Sequence, residues 1–105
     1  MKFLSINIYP VDRIAEVSRV TDKLATNPPE DYKILAIYGC LSNPFPGVEL
    51  PQGKMVTVSI LESNNAASMA TAALELTLAG CTVSRIPVLE VSTGEVEGTV
   101  EKLRV

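Results

Sequence analysis

The order of pattern changes along the chain constrains its fold more than any single residue does. Between Phe3 and Val91 an alternating apolar run, a helical repeat and a second alternating run occur, and the same succession then occurs again. Alternation at period two marks a strand with two unlike faces; recurrence at three and four residues marks a helix with one apolar stripe. The resulting order, strand, helix, strand, strand, helix, strand, predicts an antiparallel sheet with both helices on one face. The other face then needs a cover that 105 residues do not supply, so a partner subunit is expected there.

The first run sets Leu4, Ile6 and Ile8 against Ser5, Asn7 and Tyr9, and the aliphatic set is expected to meet the helices. Pro10 suits a first helical turn, where its missing N–H costs nothing, and Asp12 adds favourable charge there. Ile14, Val17, Val20 and Leu24 form the apolar stripe of the first helix. Asn27-Pro28-Pro29 should end it, because Asn tolerates a left-handed cap and proline cannot extend the ladder. The second strand spans Lys33 to Leu41, with Leu35 and Ile37 opposite Ala36, Tyr38 and Cys40. Ser42 to Gly53 holds Pro44, Pro46, Pro51, Gly47 and Gly53 and reads as a hairpin connection long enough to suggest a role of its own.

The third strand, Lys54 to Leu61, sets Val56, Val58 and Ile60 against Met55, Thr57 and Ser59. Ser63 or Asn64 is expected to cap the second helix and Gly80 to stop it. Glu75 is the only charge between Asn65 and Ala79, so this helix has no solvated charged face and should be covered on more than one side, by the first helix, the tail or another chain. The fourth strand, Thr82 to Val91, contains Pro87, which confines it to a sheet edge or a bulge. Ser92-Thr93-Gly94-Glu95 matches a capping box, and Val96, Val100 and Leu103 follow at i, i+4 and i+7. A short C-terminal helix is therefore expected, with Gly98 weakening it and Lys102 to Val105 also readable as a strand.

Nearly half of the residues are apolar and a fifth are charged, a balance that folds as one domain over residues 1–105. A net charge of −3 without a basic run argues against nucleic acid and anionic membranes as partners. No apolar stretch approaches ~20 residues, and the amino-terminal run is too short for a signal peptide, so a soluble cytoplasmic protein is expected. Cys40 and Cys81 lack the spacing of a zinc or redox motif. The predicted topology puts them on opposite sheet edges, about 14 Å apart against a disulfide limit near 7 Å, and both read as buried thiols. The chain has no histidine, which removes the commonest metal ligand and general base; neither metal nor cofactor is expected.

The opening Met1-Lys2-Phe3-Leu4, Pro10 at the helix start, Pro28-Pro29 before Tyr32-Lys33-Ile34-Leu35, and Pro87-Val88-Leu89 resemble the ferredoxin-like α+β domain. More narrowly they resemble the dimeric α+β-barrel superfamily, which includes small monooxygenases, isomerases and uncharacterised proteins. The resemblance implies a homodimer, open to higher assembly, in which two sheets face each other across a dyad. On the alternation above, that face carries Ser5, Asn7, Tyr9, Ala36, Tyr38, Thr57 and Ser59. A buried polar lining must be hydrogen-bonded by partner groups, water or a ligand.

Ser5, Asn7, Tyr9, Tyr38, Thr57 and Ser59 are thus candidates for binding a small oxygenated or aromatic ligand, or else line a wet dimer seam. Arg85, a charge in an apolar strand, either clamps a ligand carboxylate or pairs with an acid or water at an edge. Phe45, Val48 and Leu50 close a cavity, grip a subunit or pack on the neighbouring strand. No motif specifies a reaction. The expected function is a structural or small-ligand-binding homodimer. One alternative is a cofactor-independent monooxygenase or isomerase of small aromatic or enolic compounds, with Asn7 and Tyr38 orienting substrate and Arg85 stabilising negative charge. Another is an accessory subunit that docks through Ser42 to Gly53.

Overall fold

The computed structural model describes residues 1–103, and the side chains of all of these except 99 and 100. Strands β1 (Lys2–Pro10), β2 (Tyr32–Gly39), β3 (Lys54–Ser63) and β4 (Thr82–Val88) form one sheet in the order β2-β3-β1-β4. Every neighbouring pair is antiparallel. Helices α1 (Ile14–Thr26) and α2 (Ala66–Ala79) pack on each other and on one sheet face, and α3 (Val96–Leu103) follows the last strand. β4 with its Pro87 is an edge strand, where a missing ladder donor is tolerated.

Local chemistry sets the element ends. Pro10 closes β1 and leads through a 3-10 turn, Val11–Arg13, into α1. α1 ends at Asn27, whose φ of −137° and ψ of 66° are not left-handed, so the two prolines that follow terminate it. The positive φ falls instead at Asp31 (52°), whose carboxylate accepts from the Asn64 amide at 2.8 Å. The cap of α2 is Asn65 rather than Ser63 or Asn64: its Oδ1 accepts from Ser68 N at 3.1 Å. Ser63 Oγ is taken up by the Asn65 amide at 3.0 Å and Asn64 Oδ1 by the Met1 amino group at 2.8 Å, which leaves Asn65 alone free for the helix. Gly80 stops α2 in the left-handed region, at φ 115°. β4 ends at Val88, three residues short of the expected Val91, and a turn from Ser92 to Glu95 then opens α3. Val100 contributes backbone to that helix while its side chain lies outside the described set, as do Arg104 and Val105 entirely.

The helices cover the face opposite to the expected one. Cross-strand partners Ser5 and Ser59, Asn7 and Thr57, and Tyr9 and Met55 share a face, and Ser5, Asn7, Tyr9 and Ser59 are buried beneath the helix layer. Alternation separates two faces without saying which turns inward. Phe3, Tyr9, Met55, Leu61 and Val83 share the serine-bearing face and meet Val17, Leu24, Ala72, Leu76 and Ala79 from the helices. That supplies the larger core, and short serines on the central strands leave room for these rings. Leu4, Ile6, Ile8, Val58 and Ile60 lie on the open face, half-buried.

Ala36 and Tyr38 do lie on that open face, away from Ser5 and Asn7. Ile34 opposes Leu61 but Ala36 opposes Ile60, so Leu35 is the additional residue of a β-bulge. Regular alternation from Tyr32 would have set Tyr38 beside Thr57; the bulge sets it beside Val58. Tyr38 is 62% exposed.

Candidate functional site

α1 and α2 shelter β1, β3 and β4, while the second half of β2 extends past α1. Ile37 and Gly39, on the helix side of β2, are exposed in consequence. A cavity of ≈ 320 Å³ opens there between α1 and the sheet. Ser18 and Asp22 of α1 and Ile37 and Gly39 of β2 form its mouth, since these lining residues are exposed. Its floor is Ser5, Asn7, Ser59 and Leu61, all buried.

The floor is partly wired to itself. Ser5 Oγ donates to Asn7 Oδ1 at 3.3 Å, and the hydroxyls of Tyr9 and Thr57 share a hydrogen bond at 3.0 Å. Among the described residues, the Asn7 side-chain nitrogen and Ser59 Oγ have no protein partner, although Asn7 is only 7% and Ser59 only 6% exposed. Both border the cavity, so their free hydrogen-bonding capacity is directed into it.

Five of the seven residues singled out in the sequence, Ser5, Asn7, Tyr9, Thr57 and Ser59, line this one space. Tyr38 does not, because the bulge turns it to the opposite face. Arg85 is also on the helix side but outside the lining. Its Nη1 donates to the Met69 carbonyl, and its Nη2 to the Tyr32 hydroxyl at 3.3 Å. The guanidinium carbon lies 5.8 Å from the Tyr32 ring centroid, within cation–π range. Tyr32 and Arg85 start from opposite sheet edges and from different levels along the strands, and meet under α2. Burial pushes the Tyr32 phenol above its ordinary pKa, with Arg85 opposing, and burial lowers that of Arg85, with Tyr32 opposing. Arg85 is therefore a brace across the core rather than a clamp at the mouth.

Sequence reasoning missed Asp22, Ser18 and Tyr32. The first two lie outside the apolar stripe of α1, and only the uncovered end of β2 makes them a cavity rim. Tyr32 preceded the expected strand start. The segment between β2 and β3 folds back on its own strands: Leu50, Leu41 and Asn43 surround a small cleft with Cys40 and Met55. Leu41 is fully exposed and Val48 largely so. Cys40 is half-buried and Cys81 buried, both as free thiols. Among the described residues no cluster of three or more acidic, Cys or His side chains could hold a metal ion. No helix of the described residues is long and apolar enough to cross a membrane.

The strand order, the antiparallel pairing and the single helix layer define a small α+β domain of ferredoxin-like fold. The structure is similar to that of the uncharacterized protein TM1266 from Thermotoga maritima, with a TM-score of 0.58 at 13% identity over 84% of this chain and 96% of that one. It is similar also to the C-terminal domain of the MgtC protein from Mycobacterium tuberculosis, again at 0.58 and 13%, over 81% of this chain and 84% of that one. At such identity the likeness shows the fold alone. No protein family and no curated protein sequence matches the chain.

Proposed function

We propose that this protein is a small-ligand-binding module that acts as a homodimer, with one binding cavity inside each subunit. The observation that carries the binding reading is the pair of nine-tenths-buried polar side chains, Asn7 and Ser59, that face a ≈ 320 Å³ space without a protein partner. Neither is sealed from solvent, as Glu75 Oε2 and Arg85 Nε are, so a ligand with matching atoms exchanges its hydrogen bonds for those of cavity water. The volume is at the small end of ligand cavities. Among the described residues the floor presents amide and hydroxyl groups and no carboxylate or amine, chemistry suited to holding a molecule rather than to moving its protons.

Support for the homodimer comes from the open sheet face, where Leu4, Ile6, Ile8, Val58, Ile60 and Ile86 lie together. Two such faces in contact give the α+β-barrel arrangement. Their side chains are aliphatic, so the seam between sheets about 10 Å apart is filled rather than hollow. The ligand chamber therefore belongs under α1 and not on the dyad.

Thermal denaturation of the full chain against compact amides, alcohols, phenols and carboxylates tests the binding reading, because a ligand that prefers the folded state raises the midpoint. At least one class should do so, and Ser59→Val, which removes the floor hydroxyl, should diminish the rise while leaving the unliganded midpoint within a few degrees. If no compound shifts the wild type, the cavity holds only water and the reading is wrong.

A further inference from the structure

Resting on that binding reading, we infer that the cavity selects a compact cation carrying an uncharged oxygen acceptor, of the amino amide type, over a carboxylate or phosphate. Two independent features point there. The first is the unspent chemistry of the floor. Asn7 Oδ1 accepts from the Ser5 hydroxyl, while both N–H groups of the amide have no protein partner. Tyr9 and Thr57 share one hydrogen bond between two hydroxyls, which leaves one proton to donate, and Ser59 Oγ adds another. The deep end is thus uncharged and has N–H and O–H donors to spare, enough to hold a carbonyl oxygen.

The second feature is the charge around the mouth. Asp22 is the only charged residue among the described residues that line the cavity. It stands in the C-terminal half of α1, which contributes Thr21, Asp22 and Leu24 to the lining beside Val17 and Ser18 of the first half. The nearby cations are engaged elsewhere. Lys23 pairs with Glu75 at 3.2 Å, Arg13 with Glu16 at 2.7 Å, and Arg85 with Met69 and Tyr32. Arg19 does not border the cavity. A ligand anion entering here would lose its water, find no cation and approach a carboxylate. An ammonium group at the mouth, with an amide carbonyl on the floor, meets neither penalty.

NMR titration of the ¹⁵N-labelled full chain with three probes of similar size separates these outcomes: 3-aminopropanamide, a cation; butyramide, neutral; and succinamate, an anion. The Asn7 side-chain amide and the Ser59 backbone amide are the reporters. The amine should bind about threefold more tightly than butyramide, the scale of an exposed ion pair, and succinamate should bind most weakly. Asp22→Asn, at an exposed position, should remove the advantage of the amine over butyramide. Equal binding of all three probes, or an unaltered preference for the amine in Asp22→Asn, overturns the charge selection and leaves the cavity as a binding site. If none of the three moves either reporter and no compound raises the melting midpoint, the selection and the binding reading fail together.

Discussion

Ile6→Glu places a carboxylate at the middle of the open sheet face. Ile6 opposes Val58 on β3 and Ser84 on β4, with Leu4 and Ile8 two residues to either side. The four strands span roughly 19 Å across and 24 Å along, at ~4.8 Å per strand and ~3.4 Å per residue. Each subunit therefore offers a flat footprint of about 450 Å². Two such faces, with the relief of their side chains, reach the ~1,000 Å² that a biological interface should clear. A two-fold interface carries every substitution twice. Each copy loses about 1 kcal/mol of aliphatic burial and incurs about 3 kcal/mol for an unpaired buried carboxylate. The dimer then loses ~8 kcal/mol, and relaxation that halves this still weakens association roughly a thousandfold.

In the separated subunit the new carboxylate reaches water, so the thermal midpoint of the fold at low concentration should move little. Sedimentation equilibrium from about 1 to 100 μM should find a dimer for the wild type and a folded monomer for Ile6→Glu. Leu78→Glu serves as the control: Leu78 is 72% exposed on α2, on the far side of the helix layer, and the dimer should persist. A monomeric wild type at 100 μM, or an Ile6→Glu dimer of unchanged affinity, would refute the assignment of this face.

Three further outcomes follow from single groups. Because burial raises the Tyr32 pKa in the folded state above its ordinary value of 10.0, its contribution to stability is complete below about pH 10 and declines as pH rises through the folded value. Denaturant titrations should show this alkaline decline in the wild type and a shallower one in Tyr32→Phe, which should also lose about 1 kcal/mol at pH 7 with the Arg85 hydrogen bond. Burial likewise pushes the Cys81 thiol up, so iodoacetamide should label half-buried Cys40 first and reach Cys81 only on unfolding, as peptide mass mapping will report. Gly80→Ala puts a Cβ at φ 115°, 3.1 Å from Arg13 Nε, and should cost at least about 1 kcal/mol in a urea melt; an unchanged midpoint would show that α2 ends differently.

Much of the architecture was legible because its signals are local. Gly80 halts α2, Pro87 marks an edge strand and the proline-rich connection between β2 and β3 is irregular, each for a backbone reason that acts within a few residues. The inward face was not legible. Leu4, Ile6 and Ile8 are more apolar than Ser5, Asn7 and Tyr9, yet the helices cover the second set, because the choice depends on total core volume across four strands. The cap at Asn65 was obscured by competition, since the side-chain oxygens of Ser63 and Asn64 are taken by the Asn65 amide and the Met1 amino group. The Arg85–Tyr32 brace joins two strands that are not neighbours in the sheet, and no spacing in the sequence encodes such a contact.

The bulge at Leu35 links the two proposed surfaces. Without it, alternation from Tyr32 would set the Tyr38 ring opposite Thr57, on the side where the cavity now lies. Small side chains line that floor, so a ring of this size would occupy much of the space under α1. With the bulge, the position next to Thr57 is Gly39, which fills nothing, and the ring is added to the open face beside Val58. One additional residue thus empties the site and enlarges the aliphatic surface offered to a second subunit. The polar residues that the sequence suggested would line a dimer lumen still come together around a cavity. They do so within one subunit, because the strand that would have carried a tyrosine over them changes face before it arrives.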